Sequence, residues 1–464
     1  MIERLIRGVE VEGRAGCDVR LRDGTIAEIG HALASRSEEI DGHGGALIPG
    51  LADHHIHLFA LAAQAASVRL DDVTSAAELA ARITAAAVAA PAGAWIRATG
   101  YHEGAAGDLS CRELDALAPR HPVRVQHRTG ALWVLNSLAL AALGTGALPD
   151  FVERDARGAP TGRIWRGDAW LRERLGAEPP PLAPVGRQLA AFGVTAVTDA
   201  SVTTDADAAG RLAAAHRAGA LPQRLMLMSG GALAPPADGA FTVGPVKVLL
   251  DDHALPDLDD FIARIAAARV RRRNVAVHCV TAGEFALTLA AFRTAGTEPG
   301  DRIEHGGVIP GEAIGELRTL GLTVVTQPAF VRERGDRYLA EVDPVDQPDL
   351  YRCASLREAG VPVAGSSDAP YATPDPWVGI AAAVQRTTRS GQRLGEAERV
   401  LPAAALGLYL GALEAPAGRP RRVAVGAPAD LCLLGAPMRE ALAATSADVV
   451  RATLIGGEVV FAGR

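Results

Sequence analysis

Long apolar segments are missing from this chain of 464 residues, and so is a charged N-terminal stretch followed by an apolar core. No run of 18 apolar residues occurs anywhere in it. A membrane-spanning helix needs about 20 apolar residues, and a secretory signal needs an apolar core. We therefore expect neither membrane insertion nor secretion, and we predict a cytoplasmic protein.

An excess of positive charge and any Cys-x-x-Cys pair are also lacking. The formal net charge of -7 argues against a nucleic-acid-binding surface. The five cysteines are scattered and odd in number, which argues against a disulfide framework. With 48% hydrophobic and 22% charged residues, the composition is that of a globular enzyme. We expect a small-molecule substrate and no nucleic-acid or membrane partner, and we leave homo-oligomerisation open.

Short apolar strand-like runs alternate with Ala- and Leu-rich helical stretches over most of the chain. The eight strand candidates span residues 47–57, 194–199, 224–228, 246–250, 275–280, 302–305, 322–327 and 361–368. Eight parallel strands separated by helices predict an α/β fold, a closed (β/α)₈ TIM-type barrel with its chemistry at the C-terminal strand ends. The gap after the first strand is too long for a loop, so we predict an insertion there, residues 60–185, over the barrel mouth.

Both ends of the chain carry short β-type patterns. Segments 18–22 and 26–30 alternate around the turn Asp23-Gly24, and segments 423–425, 430–434, 449–454 and 458–461 repeat the pattern near the C-terminus. Each group is too small to bury a core alone. We therefore predict one discontinuous β-sandwich, residues 1–48 plus 416–464, beside a barrel of residues 49–415.

The segment Asp53-His54-His55-Ile56-His57 places two histidines at alternate positions of the first predicted strand. Alternate strand residues face the same side, so His55 and His57 can share a divalent cation. Taken alone, the pattern also fits histidines that merely alternate on a half-buried strand.

Further ligand candidates fall on later predicted strands: Lys247 on strand four, His278 on five, His305 on six and Asp368 at the end of eight. Singly, each has an ordinary structural explanation, because buried histidines usually have hydrogen-bond partners and strand-end aspartates often cap helices. Together they predict one site, since the C-terminal strand ends of a barrel meet at one rim.

In these residues the chain resembles the amidohydrolase superfamily, and within it the amidohydrolase-3-type branch that includes N-substituted formamide deformylase-like enzymes. The resemblance covers essentially the whole chain. Its markers are the segments 49–57, 136–140, 160–162, 193–200, 302–305, 367–368 and 429–431, together with Lys247.

The resemblance implies two divalent metal ions, with zinc expected, and a metal-bound hydroxide that cleaves a non-peptide C-N bond of an amide, N-acyl or N-formyl compound. The implied ligands are His55, His57, Lys247, His278, His305 and Asp368. Lys247 would be carboxylated, because an ammonium is not a ligand whereas two carbamate oxygens can bridge a metal pair. Asp368 would be the catalytic base that also delivers a proton to the leaving amine. Alternatively, an unmodified Lys247 would pair with Asp251 or Asp252.

The pocket departs from the family pattern. Gly130-Ala131 stands where the branch carries a histidine after glycine, and His127 is a candidate substitute. The candidate substrate contacts are His127, Trp133, Trp165, Gln327 and Tyr371, of which the tryptophans also fit simple packing. We further name Asp53, Asp199 and Glu304 as partners that would orient the ligand imidazoles.

Two other functions stay open. One is a mononuclear deaminase of an aminated heterocycle, which commonly shows His-x-x-Glu after strand five, where this chain has Thr281. The other is a degenerate, non-catalytic barrel, whose mark would be missing ligands.

Overall fold

The structure is a computed structural model that describes residues 3–34, 38–144, 148–175 and 180–463. The chain forms two compact units. The first combines Met1–Leu58 with Leu182–Arg464, and the second is the insertion, Phe59–Pro181. No helix in the described ranges is long and apolar enough to cross a membrane.

The first unit contains the predicted barrel, an eight-stranded sheet in which every neighbouring pair is parallel. Its strands are Leu51–Ile56, Val194–Asp199, Arg224–Ser229, Thr242–Val248, Val275–Cys279, Arg302–His305, Thr323–Thr326 and Val363–Gly365. The accompanying helices are Ala183–Ala191, Ala206–Arg217, Leu258–Val270, Ala282–Ala295, Ile314–Leu320, Ala329–Glu341, Ala354–Glu358, Pro376–Gln385 and Pro402–Gly407. Helix starts are capped by side chains such as Asp205 and Thr281, which satisfy free backbone N–H groups. The predicted barrel is confirmed.

The first and last barrel strands meet through backbone hydrogen bonds just beyond their ends. The Asp368 N–H donates to the His55 carbonyl at 2.8 Å, and the His57 N–H donates to the Ala369 carbonyl at 2.8 Å. Two of the candidate ligand segments therefore form the edge where the sheet closes.

The predicted strand 47–57 is wrong as one element. Leu47–Pro49 pairs antiparallel with Leu431–Leu434 in a terminal sheet, and the barrel strand starts only at Leu51. Gly50 separates them at a close approach: a Cβ there would lie 2.1 Å from Thr195 Cγ2. The eighth strand is also shorter than predicted, since Val363–Gly365 ends three residues before Asp368.

Two four-stranded sheets form the predicted sandwich from both termini. One contains Glu3–Val11, Arg14–Arg22, Thr25–Gly30 and Glu38–Asp41, and the other contains Leu47–Pro49, Leu431–Leu434, Val450–Ile455 and Glu458–Ala462. Apolar residues from both ends of the chain share one core, including Val9, Val19, Leu433 and Leu454. Segment 423–425 is not a strand, although Val423 packs into this core. A short helix, Met438–Ala444, and four 3-10 turns, Gly311–Ala313, Gln347–Asp349, Glu396–Glu398 and Ala447–Val449, complete this unit.

The insertion has its own six-stranded sheet and its own cores. Its strands are Val68–Arg69, Ile96–Tyr101, Val123–His127, Leu132–Leu135, Val152–Arg154 and Pro160–Trp165. Its helices, the first of which begins at the unit boundary, are Leu58–Ala65, Ala76–Ala89, Glu103–Ala106, Cys111–Leu117, Ser137–Ala142 and Asp168–Leu175. The insertion after barrel strand one is thus confirmed as part of the fold.

Candidate metal centre

The six predicted ligands all lie on barrel strands or directly after them. His55, Lys247, His278 and His305 lie on strands one, four, five and six, His57 follows strand one, and Asp368 follows strand eight. Two of the histidine rings contact the ring of His305: its centroid lies 4.8 Å from that of His55 and 4.4 Å from that of His278. The rim of the barrel therefore brings these side chains together.

His55, His57 and Asp368 form one compact group, which we call the trio. Asp368 Oδ1 lies 3.4 Å from His55 Nε2 and 3.1 Å from His57 Nε2. Among the residues that the structure describes, neither His55 Nε2 nor Asp368 Oδ1, both buried, has a hydrogen-bond partner. Buried polar atoms without partners are costly. Because all of these atoms are metal-ligand types that converge on one point, the trio fits a divalent cation.

Lys247 lies on the barrel strand that pairs with the strand of His278. It is 3% exposed, and its Nζ has no hydrogen-bond partner among the described residues. The alternative ion pair to Asp251 or Asp252 is not formed: those carboxylates accept from the His253 N–H and the Thr281 hydroxyl. Burial lowers the pKa of Lys247, which favours the neutral, nucleophilic amine.

Three ligand histidines have partners at Nδ1, which leaves Nε2 for another use. His305 Nδ1 lies 2.9 Å from Gln327 Oε1, His57 Nδ1 lies 3.1 Å from Ser201 Oγ, and His55 Nδ1 contacts Glu304. Such partners fix the tautomer and the ring orientation of a ligand histidine. Of these three partners, only Glu304 is predicted from the sequence to orient a ligand imidazole. Ser201 is not, because it follows the second barrel strand, Val194–Asp199, and only the folded barrel brings it to His57.

Burial favours the neutral form of the imidazoles of His55, His278 and His305. Burial lowers the pKa of His55 and of His305 well below the ordinary histidine value, and that of His278 to about 4. Neutral imidazole is the form that coordinates a metal. The residues are therefore in the binding form at neutral pH.

The backbone at two ligands is unusual. His305 has φ +72° and Asp368 has φ +54°, a left-handed conformation that is rare outside glycine. Asp53 supports this region, because its carboxylate accepts from the N–H and hydroxyl of Ser367 and from the His55 N–H. Burial raises the pKa of Asp53 to about 6. Strained positions held by surrounding contacts are typical of functional sites.

Two of the predicted substrate contacts belong to this unit. Tyr371 is 57% exposed, and its ring lies edge-on to His57 with centroids 5.7 Å apart. Gln327 is fully buried, and its amide group donates to Ser366 Oγ at 2.9 Å while its oxygen faces His305. The structure gives Gln327 a role in holding His305, and its predicted contact with substrate stays a prediction.

The other three predicted contacts lie in the insertion. Trp133 is buried, with the guanidinium groups of Arg97 and Arg124 over its ring. The Trp165 indole N–H donates to Glu153 at 3.3 Å. Their contact with a substrate stays a prediction.

His127 belongs to a second group, the insertion cluster of His102, Glu103 and His127. Its ligand-type atoms also lie within 4.8 Å of one another. Here, however, the atoms have partners: His127 Nε2 lies 2.8 Å from Glu103, and His102 Nδ1 accepts from the Gly104 N–H at 3.0 Å. Accepting at Nδ1 leaves the proton of a neutral imidazole on Nε2, which cannot then bind a cation. This cluster is better explained as a hydrogen-bond network.

Comparison with known proteins identifies the family of this chain. The sequence model of the Amidohydrolase family matches residues 38–461. The chain belongs to this family. It is therefore a hydrolase, and the predicted family is confirmed.

The family relatives are distant. The chain is 25% identical to the putative amidohydrolase YtcJ of Bacillus subtilis, over 92% of this chain and 90% of that protein. It is 24% identical to the N-substituted formamide deformylase of Arthrobacter pascens, over 83% of this chain and 82% of that protein. An uncharacterised metal-dependent hydrolase from Pyrococcus furiosus shares the fold, with a TM-score of 0.73, 20% identity, and coverage of 92% of this chain and 98% of that one.

Proposed function

We propose that this amidohydrolase cleaves a non-peptide C-N bond of a small amide, N-acyl or N-formyl compound, with water activated at a zinc-type metal centre. The observation that carries the proposal is the trio, where a buried imidazole nitrogen and a buried carboxylate oxygen converge without a hydrogen bond. The name of the Arthrobacter relative, an N-substituted formamide deformylase, supports the bond type.

We propose that the trio would hold one metal ion, that His278 and His305 would hold a second, and that a carboxylated Lys247 would supply anionic oxygen ligands. When bound, such ions supply Lewis acidity, which acidifies water and polarises a carbonyl group. Lys247 suits carboxylation because it is buried, without a partner and depressed in pKa. It is also the only lysine among the 47 lysine and arginine residues of the chain.

Asp368 is the proposed base. Its Oδ1 faces both trio histidines, while Oδ2 lies 3.8 Å from His305 Nδ1 and can take part in proton transfer. As the new C-O bond forms, Asp368 takes a proton from the attacking water. It then gives that proton to the nitrogen as the C-N bond breaks, so that the amine leaves neutral.

The test is metal quantification followed by a substrate screen of N-acyl amines, N-acyl amino acids, formamides and aminated heterocycles. We expect bound metal, and release of an amine from an amide with no ammonia from rings. Ammonia from an aminated ring without amide turnover would instead establish the deaminase. A fully folded chain that binds no metal would refute the proposed mechanism.

Three further expectations accompany this function. We propose the domain limits 1–48 plus 416–464 for the sandwich, 49–415 for the barrel and 60–185 for the insertion. The cytoplasmic location stays a prediction, and homo-oligomerisation stays open.

A further inference from the structure

A buried ionic chain leads to one ligand of the trio. Glu304 is 0% exposed and Arg302 is 2% exposed. One Glu304 oxygen lies 2.5 Å from Arg302 Nε, an ion-pair contact that lacks hydrogen-bond geometry, and the other contacts His55 Nδ1. Arg302 also donates to the His54 carbonyl at 3.3 Å. The guanidinium therefore ties Glu304 to the strand that carries His55.

The Nδ1 partners of the ligand histidines differ in charge. His55 faces the carboxylate of Glu304, whereas His305 faces the neutral amide of Gln327 and His57 faces the hydroxyl of Ser201. A carboxylate at Nδ1 draws the proton more strongly, and this raises the electron density at Nε2. His55 should consequently be the strongest imidazole donor among these three histidines.

Anionic charge is also divided unevenly between the two proposed metal positions. The trio contains its own carboxylate, Asp368, against both Nε2 atoms. The His278–His305 pair consists of two rings in contact, and the strand of His278 pairs with the strand that carries the buried Lys247. Until that lysine is carboxylated, the second position lacks an anionic ligand of its own.

We propose that Glu304, held by Arg302, is a positioning residue for His55 and makes the trio the tighter metal position. This inference rests on the proposed function. The trio then fills first and without bicarbonate. The position at His278 and His305 fills second and depends on bicarbonate through Lys247.

The first measurement is metal affinity. The metal-stripped full chain is titrated with Zn²⁺ against a colorimetric chelator, with and without bicarbonate, and with Co²⁺ to follow coordination by visible absorption. We expect two equivalents, the first about 10- to 100-fold tighter, which is the range that such hydrogen-bond partners can account for. Bicarbonate should strengthen only the second.

A matched pair of variants separates the two positions. Glu304→Gln should weaken the first equivalent about 10- to 100-fold, and Gln327→Met should weaken only the second. Because Glu304→Gln leaves Arg302 buried without its partner, the double variant Arg302→Met/Glu304→Gln is prepared as well. It should show the same selective loss in the first equivalent, with native circular dichroism.

The chemical state of the Lys247 side chain can be measured directly by NMR. Since the chain has one lysine, ¹³C-labelling of lysine Cε gives a single side-chain resonance. We expect the signal of a carbamylated lysine to appear with the second Zn²⁺ equivalent and bicarbonate, and not with the first.

Two equivalents of equal affinity, or an effect of Glu304→Gln that is equal on both equivalents or absent, would overturn this inference and leave the proposed metal centre intact. A folded chain that takes up no Zn²⁺ would refute the proposed function itself.

Discussion

Two groups in this chain each place the ligand atoms of two histidines and one carboxylate within 4.8 Å of one another, and they differ in burial and in the hydrogen bonds of those atoms. The trio is largely buried and contains converging polar atoms that lack hydrogen bonds. The insertion cluster includes an exposed carboxylate, and its ring nitrogens accept from backbone N–H groups or contact Glu103. Residue type alone therefore does not identify a metal site. Burial of ligand atoms that nothing else satisfies separates the two groups.

The largest effect should come from the carboxylates. Asp368→Asn removes the proton acceptor and one anionic ligand at almost constant volume, so kcat should fall about 10²- to 10⁴-fold in steady-state assays. The matched change Glu103→Gln should leave kcat near that of the unaltered chain. Comparable losses in both variants would erase the distinction between the groups.

Metal removal should reveal the same contrast in stability. Zn²⁺ at about 100 times its Kd stabilises a folded protein by about 2.7 kcal/mol, so stripping should lower Tm in a thermal melt. Without bicarbonate, where the second position is weak, His55→Ala should remove most of this Zn²⁺-dependent shift, and His127→Ala should keep it. An undiminished shift in His55→Ala would place the first ion elsewhere.

Lys247→Met should separate stability from activity. In the metal-free chain the variant removes a buried amine without a partner, so the free energy of unfolding should rise by about 1–3 kcal/mol in urea titrations. Hydrolysis should nevertheless be lost, together with the second metal equivalent. A less stable metal-free variant would mean that the amine has a partner in solution.

The smallest effect belongs to the insertion cluster. His127→Gln removes a partly exposed pairing with Glu103, and the free energy of unfolding should change by less than about 1 kcal/mol. Metal content should not change. If His127 contacts substrate as predicted, KM will rise while metal content stays constant, and a lost metal equivalent would instead show that the insertion binds a cation.

Much of the fold could be predicted because its signals are local. Strands Val194–Asp199 and Arg302–His305 have the predicted limits, and each is a short segment that starts directly after a turn residue or a charge, Gly193 or Asp301. The division of segment 47–57 was not predicted. It depends on Gly50 approaching Thr195, a contact between residues far apart in the sequence.

The ligand set could be nominated from strand ends, but of the Nδ1 partners of those ligands only Glu304 could. Ser201 and Gln327 are ordinary polar residues until the barrel places them against His57 and His305. Lys247 is different, because its being the only lysine is visible in the sequence without any structure. Glycine-like backbone at Asp368 gives no sequence signal at all.

The closing edge of the barrel carries a last consequence. The hydrogen bonds that join strand one to strand eight are made by the backbone of His55, His57 and Asp368 with its neighbour Ala369. An ion bound by the side chains of the trio would fasten that same edge from inside. Local opening of this edge would then separate the ligands of the trio before the rest of the barrel unfolds. A bound metal ion should therefore slow amide hydrogen exchange at His57 and Asp368, whose N–H groups make these hydrogen bonds.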